Sequence, residues 1–209
     1  GDYDIPLLVQ DRRFSDTNND GTLDTMEYAT SPMDLGMGML GNHVLVNNVE
    51  LPKKSVETRQ YRFRLYNVSN ARTYNFALSD GTPFKVIGTD GGLLNTPVEI
   101  TELLLASAER AEIIVDFSKY SVGDKVMLMS KAFAVNQEGM MNGMMGNMEG
   151  NSPGSSMPRM MHTGGSSSNM GDGMMSDMDI SMPNGTEFSV MRFDITRKVT
   201  DPIDRKSVV

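Results

Sequence analysis

The chain predicts an all-β fold, a Greek-key β-sandwich carrying one long insertion. Three observations lead there. Apolar and polar residues alternate with a period of two in one segment after another, as in YRFRLY and YNFAL. Asn, Asp and Gly turns separate these segments, and no stretch shows a convincing amphipathic helix. Between residues 138 and 183 the composition changes abruptly to Met, Gly, Ser and Asn, and the alternating pattern resumes cleanly at Phe188.

Taken in order, residues 5–10 read as a first strand, followed by a polar loop over 11–31 and a Gly/Met stretch, DLGMGMLG, ending at Gly41. Residues 43–47 form the next short strand, turned by Asn47-Asn48. Tyr61, Phe63 and Leu65 alternate with Arg62, Arg64 and Tyr66. Tyr74, Phe76 and Leu78 repeat the pattern, and Asp80-Gly81 closes that strand. Residues 84–88, 98–106, 111–117 and 125–130 supply further strands, and 187–195 is the last. About nine strands without a helical partner layer imply a sandwich. Arg59, Arg62, Arg64 and Arg72 read as solvated charges on strand faces. The domain is expected over residues 1–196, with 138–183 inserted between its last two strands and 197–209, which contains Asp201-Pro202, as a linker.

The chain has 209 residues, enough to bury a real core. Its net charge of −8 argues against a phosphate-binding surface, so no nucleic-acid partner is expected. Cysteine is absent, which excludes a disulfide framework, and no apolar run has the length of a membrane span. Strand-like sequence begins at once, at Tyr3, which reads as a start in mid-fold and thus as part of a longer polypeptide. Asn67-Val68-Ser69 and Asn184-Gly185-Thr186 are glycosylation sequons of little weight, since so short a pattern arises often by chance.

Residues 16–27, DTNNDGTLDTME, fill every ligand position of a calcium loop. Asp16, Asn18 and Asp20 stand at positions 1, 3 and 5, Gly21 at the sharp turn, Thr22 at the carbonyl position, Asp24 at position 9 and Glu27 at the bidentate position 12. Calcium is a hard cation that takes six to eight oxygens, and alternate residues of a tight loop converge theirs on one point. The flanking helices of a paired sensor are missing, so the expectation is a calcium loop grafted into a β protein. An Asx-rich turn that binds nothing is the competing reading.

The insertion is rich in thioethers: Met140, Met141, Met144, Met145 and Met148, then Met160 and Met161 beside His162, then Met174, Met175 and Met178. Soft, uncharged sulfur prefers Cu(I) to hard divalent ions, and three or four thioethers on one segment can wrap such an ion, with His162 adding an imidazole. A low-complexity linker, or Met serving as an oxidant sink, is the plain alternative.

From residue 60 to 117 the chain resembles the middle domain of a three-domain multicopper oxidase, on the branch of spore-coat laccases and bilirubin oxidases. GTDGGL at 88–93 and AERAEIIVDF at 108–117 carry the resemblance, with weaker support from IPLLVQDR at 5–12 and GNHVLVN at 41–47. Ser107 stands where the family usually has Pro. These motifs read as structural: Gly91-Gly92 for a turn closed to other residues, Glu109-Arg110 as an ion pair, Asp90 as a turn acceptor.

The resemblance implies a cupredoxin-like sandwich that holds none of the family's copper ligands. It implies flanking cupredoxin domains as partners, an extracellular or periplasmic setting that the calcium loop also favours, and a parent enzyme that oxidises phenols or metal ions while reducing dioxygen to water. The Met-rich segment is similar to those of copper-efflux oxidases and copper-resistance proteins, although in the efflux oxidase it lies in a different domain. Counting agrees with an inert middle domain. A blue copper site needs two His and a Cys thiolate, and this chain has no Cys, no His-x-His pair, and only His43 and His162. The chain alone is therefore expected to be inactive, a scaffold for the copper in its parent. The alternative is a free-standing calcium- and copper-binding structural module, pairing with copies of itself.

Overall fold

The alternating runs YRFRLY and YNFAL become strands that turn their apolar residues inward. The computed structural model describes residues 2–135 and 182–200. Among them the elements are β1 (Asp4–Arg12), β2 (Phe14–Ser15), β3 (Thr25–Met26), α1 (Pro32–Met37), β4 (His43–Val46), β5 (Val49–Glu50), β6 (Lys53–Glu57), β7 (Gln60–Asn67), β8 (Tyr74–Leu78), β9 (Phe84–Thr89), β10 (Gly92–Ile100), β11 (Glu102–Leu105), β12 (Arg110–Asp116), a one-turn 3-10 helix (Phe117–Lys119), β13 (Lys125–Ser130) and β14 (Phe188–Arg197).

A seven-stranded sheet runs β10-β9-β12-β7-β1-β4-β5, and a five-stranded sheet runs β11-β8-β13-β14-β6. Most neighbours are antiparallel. The two parallel pairs, β1 with β7 and β14 with β6, mark where the chain crosses over instead of turning back. Leu7, Val9, Phe63 and Leu65 of the first sheet are buried, as are Phe76, Leu78, Leu128 and Phe193 of the second. Phe63 and Phe117 each hold a ring centroid 5.1 Å from that of Phe193, and Tyr61 lies edge-on to Phe117 at 5.7 Å. The Asp116 carboxylate accepts from the Ser118 amide, starting the short helix that turns Phe117 inward. Among the described residues no helix is long and apolar enough to cross a membrane.

Four details differ from the sequence reading. Residues 98–106 are not one strand: Val98 and Ile100 pair with β9, the chain switches sheets at Thr101, and Leu103 and Leu105 pair with β8. Alternation continues across such a switch, so periodicity does not reveal it. The sequence pattern does not mark β2, β3 and β5, each two residues long, or β6, which buries only Val56. The Gly/Met stretch begins in a six-residue helix, capped by Ser31, whose hydroxyl accepts from the Asp34 amide, with Pro32 in the first turn. The last strand runs on to Arg197.

Burial also governs the phenols. It raises the pKa of Tyr61 and Tyr74, and it pushes Tyr120 up to about 12, aided by the nearby Asp80 carboxylate, to which the Tyr120 hydroxyl donates at 2.8 Å. A folded pKa above the unfolded value means stability that is intact below about pH 10 and lost as pH rises beyond it. Stability is expected to fall steadily between about pH 10 and 12, with tyrosinate absorbance rising late. The chain has no Trp, so the absorbance reads cleanly. Tyr120→Phe is expected to flatten part of that decline.

Candidate functional site

The candidate metal loop is the tip of a hairpin. Phe14 pairs with Met26 and Ser15 with Thr25, and residues 16–24 close the gap. Asn19 and Gly21 take positive φ, of 54° and 86°, which winds the loop tightly. Its carboxylates accept from the loop's own donors. Asp16 takes the amides of Asp20 (3.2 Å) and Gly21 (2.6 Å), and Asp20 takes that of Thr22 (2.8 Å). Asp24 takes the Thr17 hydroxyl and amide (2.5 and 3.1 Å) and the Asn18 side-chain amide (2.9 Å). The Thr17 hydroxyl bond is the main reason the Asp24 carboxyl sits below its ordinary pKa.

Thus Asp16, Asn18, Asp20 and Asp24 share one loop, with Thr22 between them. Glu27 is set apart by the strand at Thr25–Met26, and its carboxylate lies 4.0 Å from Arg13 Nε. Among the described residues no three His, Cys, Asp or Glu side chains are arranged to hold a metal ion. Arg13 ties the base of the hairpin down. Its guanidinium donates to the Asp34 carboxylate (3.1 and 3.2 Å) and to the Leu40 carbonyl (3.3 and 3.0 Å), and it holds the Asp34 carboxyl below the ordinary range.

Next to this base is the most buried charge of the described residues. Arg72 has no exposed side-chain surface, and its Nε donates to Asp11 Oδ2 at 2.8 Å, with the Asp11 side chain only 1% exposed. One Arg72 amino group donates to the carbonyls of Gly41 (2.8 Å) and Met182 (2.7 Å), and the other reaches that of Pro183 at 3.4 Å. Asp11 Oδ2 also accepts from the Gly41 amide at 2.6 Å. One guanidinium therefore joins the end of β1, the loop before β4 and the segment that leads into β14. Gly41 is required there, since a Cβ would stand 2.4 Å from the Arg12 backbone nitrogen.

These contacts correct several expectations. Arg72 is not a solvated strand-face charge, and Arg59, 11% exposed, lies with its guanidinium over the Tyr3 ring at 3.8 Å. Arg62 and Arg64 do lie half-buried on the sheet face, paired with Asp4 and, for Arg62, Glu112. Arg110 pairs with Asp90 at 2.6 Å, not with Glu109, whose carboxylate accepts from the Ala106 amide. Ser107 donates to the Ser69 and Asn70 carbonyls, a tie that Pro would lack. The Asn67 side chain is buried and donates to the Arg72 and Leu105 carbonyls, which closes that sequon in the folded protein. No local signal marks Arg72; only its long-range partners do.

Among the described residues the one imidazole is that of His43. It bonds Glu50 at 3.0 Å and meets the Phe14 ring edge-on. The Met-rich segment from Met140 to Met178, with His162, lies outside the described residues.

Two sheets, each holding one parallel pair, with an aromatic core between them, define a cupredoxin-like β-sandwich. A multicopper oxidase family model matches residues 13–151. The laccase of Bacillus subtilis (strain 168) is 40% identical over 137 residues, 63% of this chain and 26% of the laccase. The cell division protein FtsP of Xenorhabdus nematophila is 43% identical over 116 residues, 56% of this chain and 23% of FtsP. The McoA multicopper oxidase of Aquifex aeolicus superposes with a TM-score of 0.64 at 31% identity, covering 95% of this chain and 32% of McoA. The chain belongs to the multicopper oxidase family. It spans about a quarter of the curated relatives' length and a third of McoA.

Proposed function

We propose that the chain is the central scaffold domain of a laccase-like multicopper oxidase, secreted or periplasmic, whose other domains hold the copper. The observation that supports it most is a family match across most of the chain combined with the absence of cysteine and a histidine count of two. The parent would oxidise phenols or metal ions at the expense of dioxygen, and this sandwich would set the spacing of the flanking cupredoxin domains. The test is the native gene product. A polypeptide about two and a half to three times this chain's length, oxidising a laccase dye that the 209-residue chain leaves untouched, is the expected result. A native product of this length would sink it.

A second reading has its own support. One set of relatives bears a cell-division name, so the fold could serve here as a non-catalytic structural module. Absence of dye oxidation by a multidomain native product would favour that reading.

Within the scaffold, residues 16–27 are a calcium loop in this proposal. Calcium would take over the Asp16, Asn18, Asp20 and Asp24 oxygens and the Thr22 carbonyl, and would draw Glu27 away from Arg13. Calcium at roughly ten to a hundred times its dissociation constant is then expected to add about 1.4–2.7 kcal/mol of stability. Differential scanning calorimetry of wild type against Asp16→Ala/Asp20→Ala reads this directly, and an unmoved melting point in millimolar calcium refutes it.

The Met-rich segment completes the proposal as a Cu(I) trap that supplies or guards the parent's copper. Cuprous titration under reducing conditions, compared with a variant whose Met residues between 138 and 181 are all Leu, is expected to show ions bound only by the wild type. Equal stoichiometry would reassign the segment to a linker.

A further inference from the structure

One side of the sandwich ends in two strands that no further described strand pairs with. β10 closes the seven-stranded sheet and β11 the five-stranded sheet, and Thr101 alone separates them in the chain, so both sheets end along a common edge. None of the nine residues of β10 is buried. Large apolar side chains face solvent there: Leu93 is 73% exposed, Val98 48% and Leu104 57%. Such an edge is normally blunted with charge or covered, because it invites association.

Here the backbone is already guarded. Pro97 has no N–H to offer a further strand, and the register slips between Leu93 and Val98. The β10 edge is thus interrupted for strand addition while the apolar side chains remain available, a combination suited to a partner that packs side chain against side chain. The two edge strands themselves carry only acidic charge, with Lys85 of β9 opposite Glu99 behind them. Residues 92–105 contain Glu99 and Glu102 and no Lys or Arg. A second copy set on this edge would bring four carboxylates together in a protein whose net charge is already −8. An apolar patch rimmed by basic residues fits better.

We propose that the β10–β11 edge is the docking face for an adjoining domain of the same oxidase polypeptide, one that presents an apolar surface with a Lys/Arg rim. The inference rests on the scaffold reading above. Length identifies the occupant's source: this chain covers 26% of the Bacillus laccase and 32% of McoA, so the relatives carry other domains that must be seated.

Hydroxyl-radical footprinting of the native gene product beside the 209-residue chain tests it, reading oxidation at Leu93 and Leu104 against Val122, an exposed residue on the turn before β13. Oxidation of Leu93 and Leu104 is expected to be roughly fivefold slower or more in the native product, independent of dilution, because interface cores pack like protein interiors. Val122 is expected to react equally in both. Leu93→Lys/Leu104→Lys is expected to speed proteolysis between domains of the native product while leaving the melting of the 209-residue chain unchanged. Equal oxidation of both leucines in a multidomain product overturns the docking face and leaves the scaffold reading standing. Protection that disappears on dilution identifies a second copy and overturns it as well. A native product of 23.0 kDa overturns both readings.

Discussion

Arg72→Met is expected to remove about 3–5 kcal/mol of folding stability, because it leaves the Asp11 carboxylate buried with its counter-charge gone. The substitution keeps an apolar side chain of some length, so the loss reports charge and hydrogen bonding more than volume. Four acceptors lose a donor at once: Asp11 and the carbonyls of Gly41, Met182 and Pro183. Arg72→Lys is expected to fall between, since an ammonium keeps the charge but cannot reproduce the planar fork that serves three chain segments. Arg72→Met combined with Asp11→Leu is expected to recover part of the loss, as buried pairs replaced by apolar groups commonly do. Arg62→Met is the control. Its guanidinium lies one quarter exposed on the sheet face, where ion pairs contribute about 1 kcal/mol or less. Urea unfolding midpoints decide among these. If Arg72→Met shifts stability no more than Arg62→Met, the buried pair is not what joins β1 to the segment before β14.

That prediction turns on a residue whose environment the sequence does not display. The sandwich was legible because its strands alternate: Tyr61, Phe63 and Leu65 face inward on β7, and Arg62, Arg64 and Tyr66 do not. Turns were legible where Asx-Gly pairs fix them, as at Asp80-Gly81, where Gly81 has φ of 72°. Arg72 was not, because an arginine that seals a core and one that solvates a strand look alike until three distant segments are folded onto it. The sheet switch at Thr101 was hidden for a related reason, since apolar alternation carries no record of which sheet a strand joins. The metal loop is the mixed case. Its oxygens fall at the right spacing in the chain, yet the hairpin that carries them continues into a strand at Thr25–Met26, which leaves Glu27 beside Arg13. Spacing names the ligand types; the local backbone decides which of them converge.

Phe193→Ala is expected to cost about 3–5 kcal/mol, the range for emptying an aromatic site in a packed core. Phe193 is 1% exposed, and its ring meets those of Phe63 and Phe117 at 5.1 Å each, so its loss leaves a void bounded by both sheets. Its strand is no appendage. β14 lies between β13 and β6, with Phe193 opposite Val126 on one side and Lys54 on the other, so two strands lose support when it loosens. This bears on the organisation of the chain, because the residues of β14 come after the Met-rich segment. If residues before and after that segment form one domain, Phe193→Ala should lower a single cooperative transition seen equally by tyrosine absorbance and by far-ultraviolet circular dichroism. Replacing the Met-rich segment with a shorter flexible linker should shift the same transition by only about 1 kcal/mol, since loop-closure entropy varies slowly with length. Two separable transitions, with Phe193→Ala moving only one of them, would instead mean that the sandwich stands without its last strand, and the single-domain reading would fall.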